Sequence, residues 1–238
     1  MKTALVTGGN KSIGFEVVKQ LLDLGYYVYL GSRDLQKGKE AAAQLKSTQV
    51  EAIAIDVSDQ TSIEAARKKI NSLDVLINNA GISGGFPQNA STLDTNVIRE
   101  VFDTNFFGTI NVTKAFLDLL KKSDAPRIVN VTSGLASLTL HSDPSWRYYN
   151  IKGGAYGPSK TALNAYTVVL AYELKDTLFK INAVDPGYTA TDFNQHRGTG
   201  SIHDAAARIV KYAIIGNDGP TGQFFSDDNN PETGVSPW

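Results

Sequence analysis

Residues 3–33 constrain this chain more than any other stretch. Thr3 to Thr7 form a short apolar run rich in strand formers. The turn GGNKSIG, Gly8 to Gly14, follows at once. Ile13, Val17, Val18, Leu21, Leu22 and Leu24 then recur at three- and four-residue steps, one face of a helix. Gly25 stands where a helix ends on a left-handed residue. Tyr27 to Leu30 read as a second strand, and Gly31, Ser32, Arg33 and Asp34 leave its end. The result is a βαβ unit with a glycine-rich first turn. Such a turn bends sharply and lets a phosphate approach the backbone. The helix start beyond it offers unpaired N–H groups and the positive end of the dipole. A glycine cluster alone is an ordinary turn. Strand, helix and strand around it make it read as a dinucleotide site.

The rest of the chain repeats the alternation. Residues 34–47 are a helix with Asp34 as N-cap, and Val50 to Ile55 a strand closed by Asp56. Ser58 or Asp59 opens a helix to about Ile70, and Leu73 to Ile77 form the next strand, ending in NNAG, Asn78 to Gly81. A long helical pattern runs from Leu93 to Lys121, in one or two pieces, before a strand from Arg127 to Val131. Residues 135–154 read as an irregular loop, followed by a helix over 157–175 and a strand from Lys180 to Val184. A helix near His203 to Tyr212 and a short strand from Gly222 to Phe225 complete the pattern. Alternating strands and helices predict an α/β fold: one domain over residues 1–238, with a doubly wound parallel sheet covered by helices on both faces. Its ligands would lie at the carboxyl ends of the strands.

Composition sets limits. A net charge of −1 gives no reason to expect nucleic acid or an anionic membrane as partner. The absence of cysteine excludes disulfides and cysteine–zinc sites. His141, His196 and His203 lack ligand spacing, so no metal site is expected. No signal pattern precedes the first strand, and no apolar run reaches membrane-spanning length. The default expectation is a soluble cytoplasmic protein.

Tyr156-Gly-Pro-Ser-Lys160 is the second decisive stretch. Tyr and Lys four apart near a helix start face the same way. A phenol has a reference pKa of about 10, and a nearby ammonium lowers it toward acid–base work. Taken alone the spacing is common by chance. With the glycine turn, Asn78 to Gly81 and Ser133 added, the pattern resembles the short-chain dehydrogenase/reductase family along the whole chain. The resemblance implies a Rossmann fold with a sheet of about seven strands. It implies a catalytic tetrad of Asn105, Ser133, Tyr156 and Lys160. In reduction, Tyr156 would protonate the carbonyl oxygen, Ser133 would hydrogen-bond it, and Lys160 would lower the Tyr156 pKa and hold the nicotinamide ribose. Asn105 would sit in a helix distortion and hold a water. Gly8, Asn10, Lys11, Ser12, Ile13 and Gly14 would line the cofactor turn. Asp56 and Val57 would flank the adenine, with Asn79, Ala80 and Gly81 beside them. Pro186, Gly187, Thr189 and Thr191 would meet the nicotinamide end.

The end of the second strand speaks to cofactor choice. An acidic residue there accepts hydrogen bonds from an NAD ribose. This chain has Ser32 in that place, then Arg33, with Lys11 in the glycine turn. Two cations favour the 2′-phosphate of NADP(H), which Arg33 would grip through its planar fork. Asp34 reads as a helix cap. Ser12 departs from the family, where glycine is usual; its side chain would either crowd the pyrophosphate or constrain the backbone, or else cap the helix and donate a hydrogen bond to phosphate.

Ser133 and Tyr156 are 23 positions apart, a wider gap than in the simplest family members. The added residues include Trp146, Arg147, Tyr148 and Tyr149. They either wall a substrate pocket at about 135–154 or only pack the loop against the body. The carboxyl end and Gly9 to Lys11 resemble the NADPH-dependent carbonyl reductase branch. That implies hydride transfer from NADPH to small aldehydes or ketones, and leaves association as a homodimer or homotetramer open. A dedicated 3-oxoacyl-thioester or steroid reductase is the alternative, and a non-catalytic NADP sensor a third.

Overall fold

Side chains point alternately to the two faces of the sheet, and because both faces are buried they set two helical layers. The structure is a computed structural model that describes residues 1–238. Its strands are β1 (Thr3–Val6), β2 (Tyr27–Ser32), β3 (Val50–Ala54), β4 (Val75–Asn78), β5 (Arg127–Val131), β6 (Lys180–Val184) and β7 (Phe224–Phe225). All pair in parallel, in the order β3-β2-β1-β4-β5-β6-β7. Ala4, Val6, Val28, Leu30, Val75 and Ile77 point to one face. There they meet α1 (Ser12–Asp23), α2 (Leu35–Gln44) and α8 (Ile202–Ala213). Leu5, Tyr29, Leu76, Ile128 and Ile181 point to the other. They meet α3 (Gln60–Arg67), α5 (Gly108–Leu120) and α7 (Tyr156–Glu173). A period of two along each strand thus feeds two separate apolar layers, as a doubly covered sheet requires.

From β1 the chain steps outward to β2 and β3, then returns to β4 and builds the other half. The reversal opens a crevice at the carboxyl ends of β1 and β4, where ligands of such sheets bind. No helix is long and apolar enough to cross a membrane.

Local signals act as expected at most helix ends. Asp34 accepts from the N–H groups of Gln36 and Lys37, at 2.9 and 3.2 Å. Asp59 caps α3 through the Thr61 N–H at 2.9 Å. Gly25 takes φ +80° after α1. Some boundaries differ. Helix α3 ends at Arg67, short of Ile70, and the guanidinium of Arg67 donates to the Ile70 carbonyl at 3.1 Å. The pattern after residue 93 is one continuous path: α4 (Thr95–Phe102), a π-helical turn at Asp103–Phe107, then α5. Residues 135–154 are not wholly irregular, because Ser137 caps a short helix, α6 (Leu138–His141). Ser12 does not cap α1. It is the helix's first residue, at φ +54°, and the N-cap residue before it, Lys11, makes no side-chain cap.

Candidate active site

The cofactor side is shaped by close backbone approaches. Gly8 has φ +63°. A Cβ on Gly14 would fall 2.2 Å from the Gly8 carbonyl oxygen and 2.5 Å from Asn79 Nδ2. Only glycine fits there, so the turn packs directly on the helix behind it. Asn79 donates from Nδ2 to the carbonyls of Thr7 and Gly8, at 2.9 and 3.2 Å. The hydroxyl oxygen of Thr7 accepts from the N–H groups of Asn79 and Ala80, each at 3.0 Å. The segment after β4 therefore pins the turn after β1. With no side-chain cap on α1, the first N–H groups of that helix remain available to an anion.

At the end of β2, Ser32 is buried and donates to the Asp34 carbonyl at 2.7 Å, while the Asp34 carboxylate is used as a cap. Arg33 is exposed and makes no ion pair. Lys11 is exposed and reaches Asp192 at 3.5 Å. Asp56 is held in its own turn, accepting from the Ser58 N–H and hydroxyl at 3.0 and 2.7 Å. The side chain of Val57 is buried in the core, and a Cβ on Gly108 would lie 2.8 Å from its carbonyl oxygen. Thr189 and Thr191 are buried beside Pro186 and Gly187, with the Thr189 hydroxyl donating to the Gly187 carbonyl at 3.2 Å.

The four positions expected to form a tetrad converge from three places: the π-helical turn, the end of β5 and α7. Asn105 is fully buried in the π-helical turn. Its Oδ1 accepts from the Ile82 N–H at 2.8 Å, and its Nδ2 donates to the Ile82 carbonyl at 2.9 Å and to the Ser159 hydroxyl at 3.0 Å. Gly81 lies between, because a Cβ there would sit 3.1 Å from Asn105 Oδ1 and 3.5 Å from Lys160 Nζ. The Lys160 ammonium is buried, donates to the Val131 carbonyl at 2.8 Å, and lies 5.9 Å from the centre of the Tyr156 ring. Burial lowers its pKa to about 8. Ser133 follows β5, where its side chain accepts from the Leu135 N–H at 3.2 Å.

One electrostatic expectation is reversed. Tyr156 is pushed above the ordinary phenol range, first by burial and then by the Asp185 carboxylate, with only the Ser133 hydroxyl pulling it down. Desolvation of a phenolate outweighs any help from Lys160 here, whose donor is aimed at Val131.

The aromatic insertion divides. Trp146 is buried, edge-on to His141 at 5.1 Å and to Tyr148 at 5.5 Å, so it packs the loop. Tyr148 continues the chain to Tyr188 at 6.4 Å. Tyr149 lies under the Lys152 ammonium. His141 is an anchor: its Nε2 lies 2.9 Å from the Leu135 carbonyl, while Nδ1 faces Lys152 at 3.0 Å. Lysine can only donate, so Nδ1 accepts and Nε2 carries the proton. Burial and Lys152 both lower the His141 pKa, consistent with a neutral ring.

Three residues escaped the sequence reading. Gln88 is buried and accepts at Oε1 from the N–H groups of Ala155 and Tyr156, at 3.2 and 3.1 Å. It caps α7 from the loop after β4, and no local pattern marks such a contact. Phe193 lies against the Tyr156 ring at 5.2 Å. Asp185 is buried against Gly134, the residue after Ser133, though its position before Pro186 carried a signal: an acid at a strand's carboxyl end.

Comparison with known proteins agrees with this arrangement. The family model for short chain dehydrogenase matches residues 2–201. A (+)-neomenthol dehydrogenase of Capsicum annuum is 33% identical, covering 93% of this chain and 94% of the relative. A salutaridine reductase of Papaver bracteatum is 30% identical, with 94% of each chain covered. Among solved structures, salutaridine reductase from Papaver somniferum has a TM-score of 0.80 at 31% identity, covering 95% of this chain and 100% of that one. An NADPH-bound carbonyl reductase from chicken fatty liver has a TM-score of 0.83 at 26% identity, covering 100% and 99%.

Proposed function

Because this chain belongs to the short-chain dehydrogenase/reductase family of oxidoreductases, we propose that it transfers hydride from NADPH to the carbonyl of small aldehydes or ketones. The observation that carries the reading is the convergence of Ser133, Tyr156 and buried Lys160 at the crevice that the Gly8–Gly14 turn borders.

The residues fit a nicotinamide dinucleotide. The uncapped start of α1 and the Gly14 position without room for a Cβ suit a pyrophosphate. Arg33 and Lys11 would hold the 2′-phosphate, since Ser32 and Asp34 leave no carboxylate for a ribose diol. Gly187, Thr189 and Thr191 would border the ring end. When bound, the cofactor supplies the hydride.

The protein supplies position and a proton. A phenol held above its ordinary range keeps its proton at neutral pH, the form needed to protonate a carbonyl oxygen as it gains charge. Ser133 would donate a second hydrogen bond to that oxygen, stabilising the charge before the proton arrives. Asn105 and Ser159 form a buried pair that reaches the Tyr156 carbonyl through the Ser159 hydroxyl, and the buried Lys160 ammonium and Asn105 Oδ1 both lie beside Gly81. Tyr148, Tyr188 and Phe193 would form an aromatic wall for an apolar substrate. Relatives named as neomenthol dehydrogenase, salutaridine reductase and carbonyl reductase support a small carbonyl compound as substrate.

The test is cofactor oxidation with aromatic aldehydes, keto esters, diketones and a 3-oxoacyl thioester, run with NADPH and with NADH. The expected result is turnover of several carbonyls with NADPH preferred. Turnover of the thioester alone would replace this reading with a dedicated reductase. Tight NADPH binding with no turnover would replace it with a sensor.

A further inference from the structure

The turn at Pro186 and Gly187 follows β6 and leads into the segment that carries Tyr188, Thr189 and Thr191. An ion pair from two other parts of the chain holds it. Arg208 on α8 donates from Nη1 to the Pro186 carbonyl at 2.9 Å and to Asp228 Oδ1 at 3.2 Å. Its Nε faces Asp227 Oδ2 at 3.1 Å. Asp228, just past β7, accepts at Oδ2 from the Tyr188 N–H at 3.1 Å. The pair therefore grips the carbonyl before Gly187 and the N–H after it. Gly187 takes φ +84°, and a Cβ there would collide with Arg208 Nη1 and lie 3.0 Å from Asp228 Oδ2. Turn and ion pair are fitted to each other, and both charged side chains are half-buried. The other backbone groups of the turn are also held. The Gly187 N–H donates to Asp185 Oδ1 at 3.0 Å, and the Tyr188 carbonyl accepts from the Thr199 and Gly200 N–H groups at 2.8 and 2.9 Å.

We propose that Arg208 and Asp228 are a positioning pair for the reaction, which sets the Gly187 turn against the nicotinamide ring and the Tyr188 side chain against the substrate. The proposal rests on the reading of Gly187, Thr189 and Thr191 as the border of the ring end. Hydrogen bonds to charged partners are stronger and shorter than neutral ones, and the guanidinium fork serves three acceptors at once. The pair also reaches the other end of the groove. Helix α8 lies in the same layer as α1. Gln20 Nε2 on α1 donates to the His203 carbonyl at 3.0 Å, and His203 Nδ1 lies 2.9 Å from Glu16 Oε1. The start of α1 is where the pyrophosphate would lie, so Arg208 relates the pyrophosphate end to the ring end through one helix. Asp228 meanwhile fixes the backbone of Tyr188, whose ring stands edge-on to Tyr148 at 6.4 Å in the aromatic wall. Hydride donor and acceptor are thus held in register by one device, and a small error of register costs much in rate. Both side chains act through the turn.

The experiment compares wild type with Arg208→Met, which keeps an apolar stem and removes the fork. Affinity is measured for NADPH and for 2′,5′-ADP, which carries the phosphorylated adenosine end and no nicotinamide. Hydride transfer is measured in a single turnover, with enzyme saturated in NADPH and in the carbonyl that wild type reduces fastest. The expected result is NADPH binding weaker by about tenfold, 2′,5′-ADP binding unchanged within about twofold, and hydride transfer slower by about tenfold. A role in stability alone would lower the melting temperature and leave the ratio of the two affinities and the hydride rate where they were. That outcome overturns the proposal, as do equal losses of both affinities. Should Arg208→Met not fold, Asp228→Asn keeps an acceptor for the Tyr188 N–H and removes the charge facing Arg208. It is expected to move the ratio and the rate the same way by less, and no movement again overturns the proposal. A wild type that reduces no carbonyl with NADPH removes the functional reading and this inference with it. A wild type that reduces carbonyls beside variants that match it removes this inference alone.

Discussion

Around the ends of β1 and β4, the groove is shaped by backbone: the Gly8 turn, the absent Cβ of Gly14, and Asn79 reaching the Thr7 and Gly8 carbonyls. Around Tyr156, the shape comes from side chains drawn from distant segments. Gln88 caps α7 across 68 positions, Asn229 reaches the Gly134 carbonyl across 95, and the Ser137 hydroxyl reaches Trp238 across 101. Backbone geometry restricts residue type at each position, so it leaves a pattern in the chain. Side-chain contacts between distant loops tolerate many solutions and leave none. The cofactor half is thus held by backbone geometry, and the substrate half by side chains of distant segments.

The largest effect should come from the one group that both halves serve. Tyr156→Phe removes the proton donor and leaves the ring against Phe193. Turnover should fall about a thousandfold, the scale of a lost general acid, with NADPH affinity nearly unchanged. Parallel kinetics and fluorescence titration measure the two. A large loss of affinity would mean that the halves are not separable in this way.

Lys160 gives the next largest effect, in stability. Burial lowers its pKa from the ordinary 10.5 to about 8 in the fold. Below pH 8 both folded and unfolded states are charged, and the full burial penalty, about 3 kcal/mol, is present. As pH rises from 8 to 10.5 the folded state loses its proton first, and this penalty fades. Lys160→Met should therefore raise the urea midpoint at pH 7, and the gain should shrink by pH 10. A gain independent of pH would mean that the ammonium is not the cause.

Arg33 tests the cofactor half alone. Arg33→Ala should weaken NADPH about tenfold or more and leave NADH almost unchanged, since only the former carries a 2′-phosphate. Equal losses would remove the phosphate role. Gln88 tests the substrate half alone. Gln88→Ala leaves the Ala155 and Tyr156 N–H groups without their partner at a buried helix start, a cost of about 1–2 kcal/mol. It should lower kcat several-fold through a displaced phenol, while NADPH affinity holds. Loss of affinity instead would show that Gln88 supports both halves.

How far the sequence could be read follows the same division. The βαβ start and the parallel order were legible, because strand period and glycine spacing are local. The residues themselves marked the π-helical turn only as a break in a long helical pattern, since i→i+5 bonding has no residue signature of its own, and the family resemblance alone placed a distortion at Asn105. Tyr156 was misjudged in direction. Its proximity to Lys160 could be inferred from spacing, whereas burial and the approach of Asp185 depend on the assembled sheet. Trp146 and Tyr148 could be named as pocket or packing residues, but which was which required His141, Tyr188 and Arg147 in place around them.

The smallest expected effect lies at the one departure within the cofactor half. Ser12 holds φ +54°, a left-handed conformation that costs a residue with a Cβ about 1–2 kcal/mol. Glycine adopts it freely but loses more backbone entropy on folding, about 0.5–1 kcal/mol. The difference predicts that Ser12→Gly raises stability by about 0.5–1 kcal/mol, visible as a small rise in melting temperature. The Ser12 hydroxyl makes no cap to α1, so nothing in the protein itself is lost by removing it. What remains is its possible contact with phosphate. If NADPH affinity is unchanged in Ser12→Gly, the strain has no return in binding and the turn works through its backbone alone. If affinity falls while stability rises, the hydroxyl is a phosphate donor, and this half too carries a side-chain contact particular to the chain.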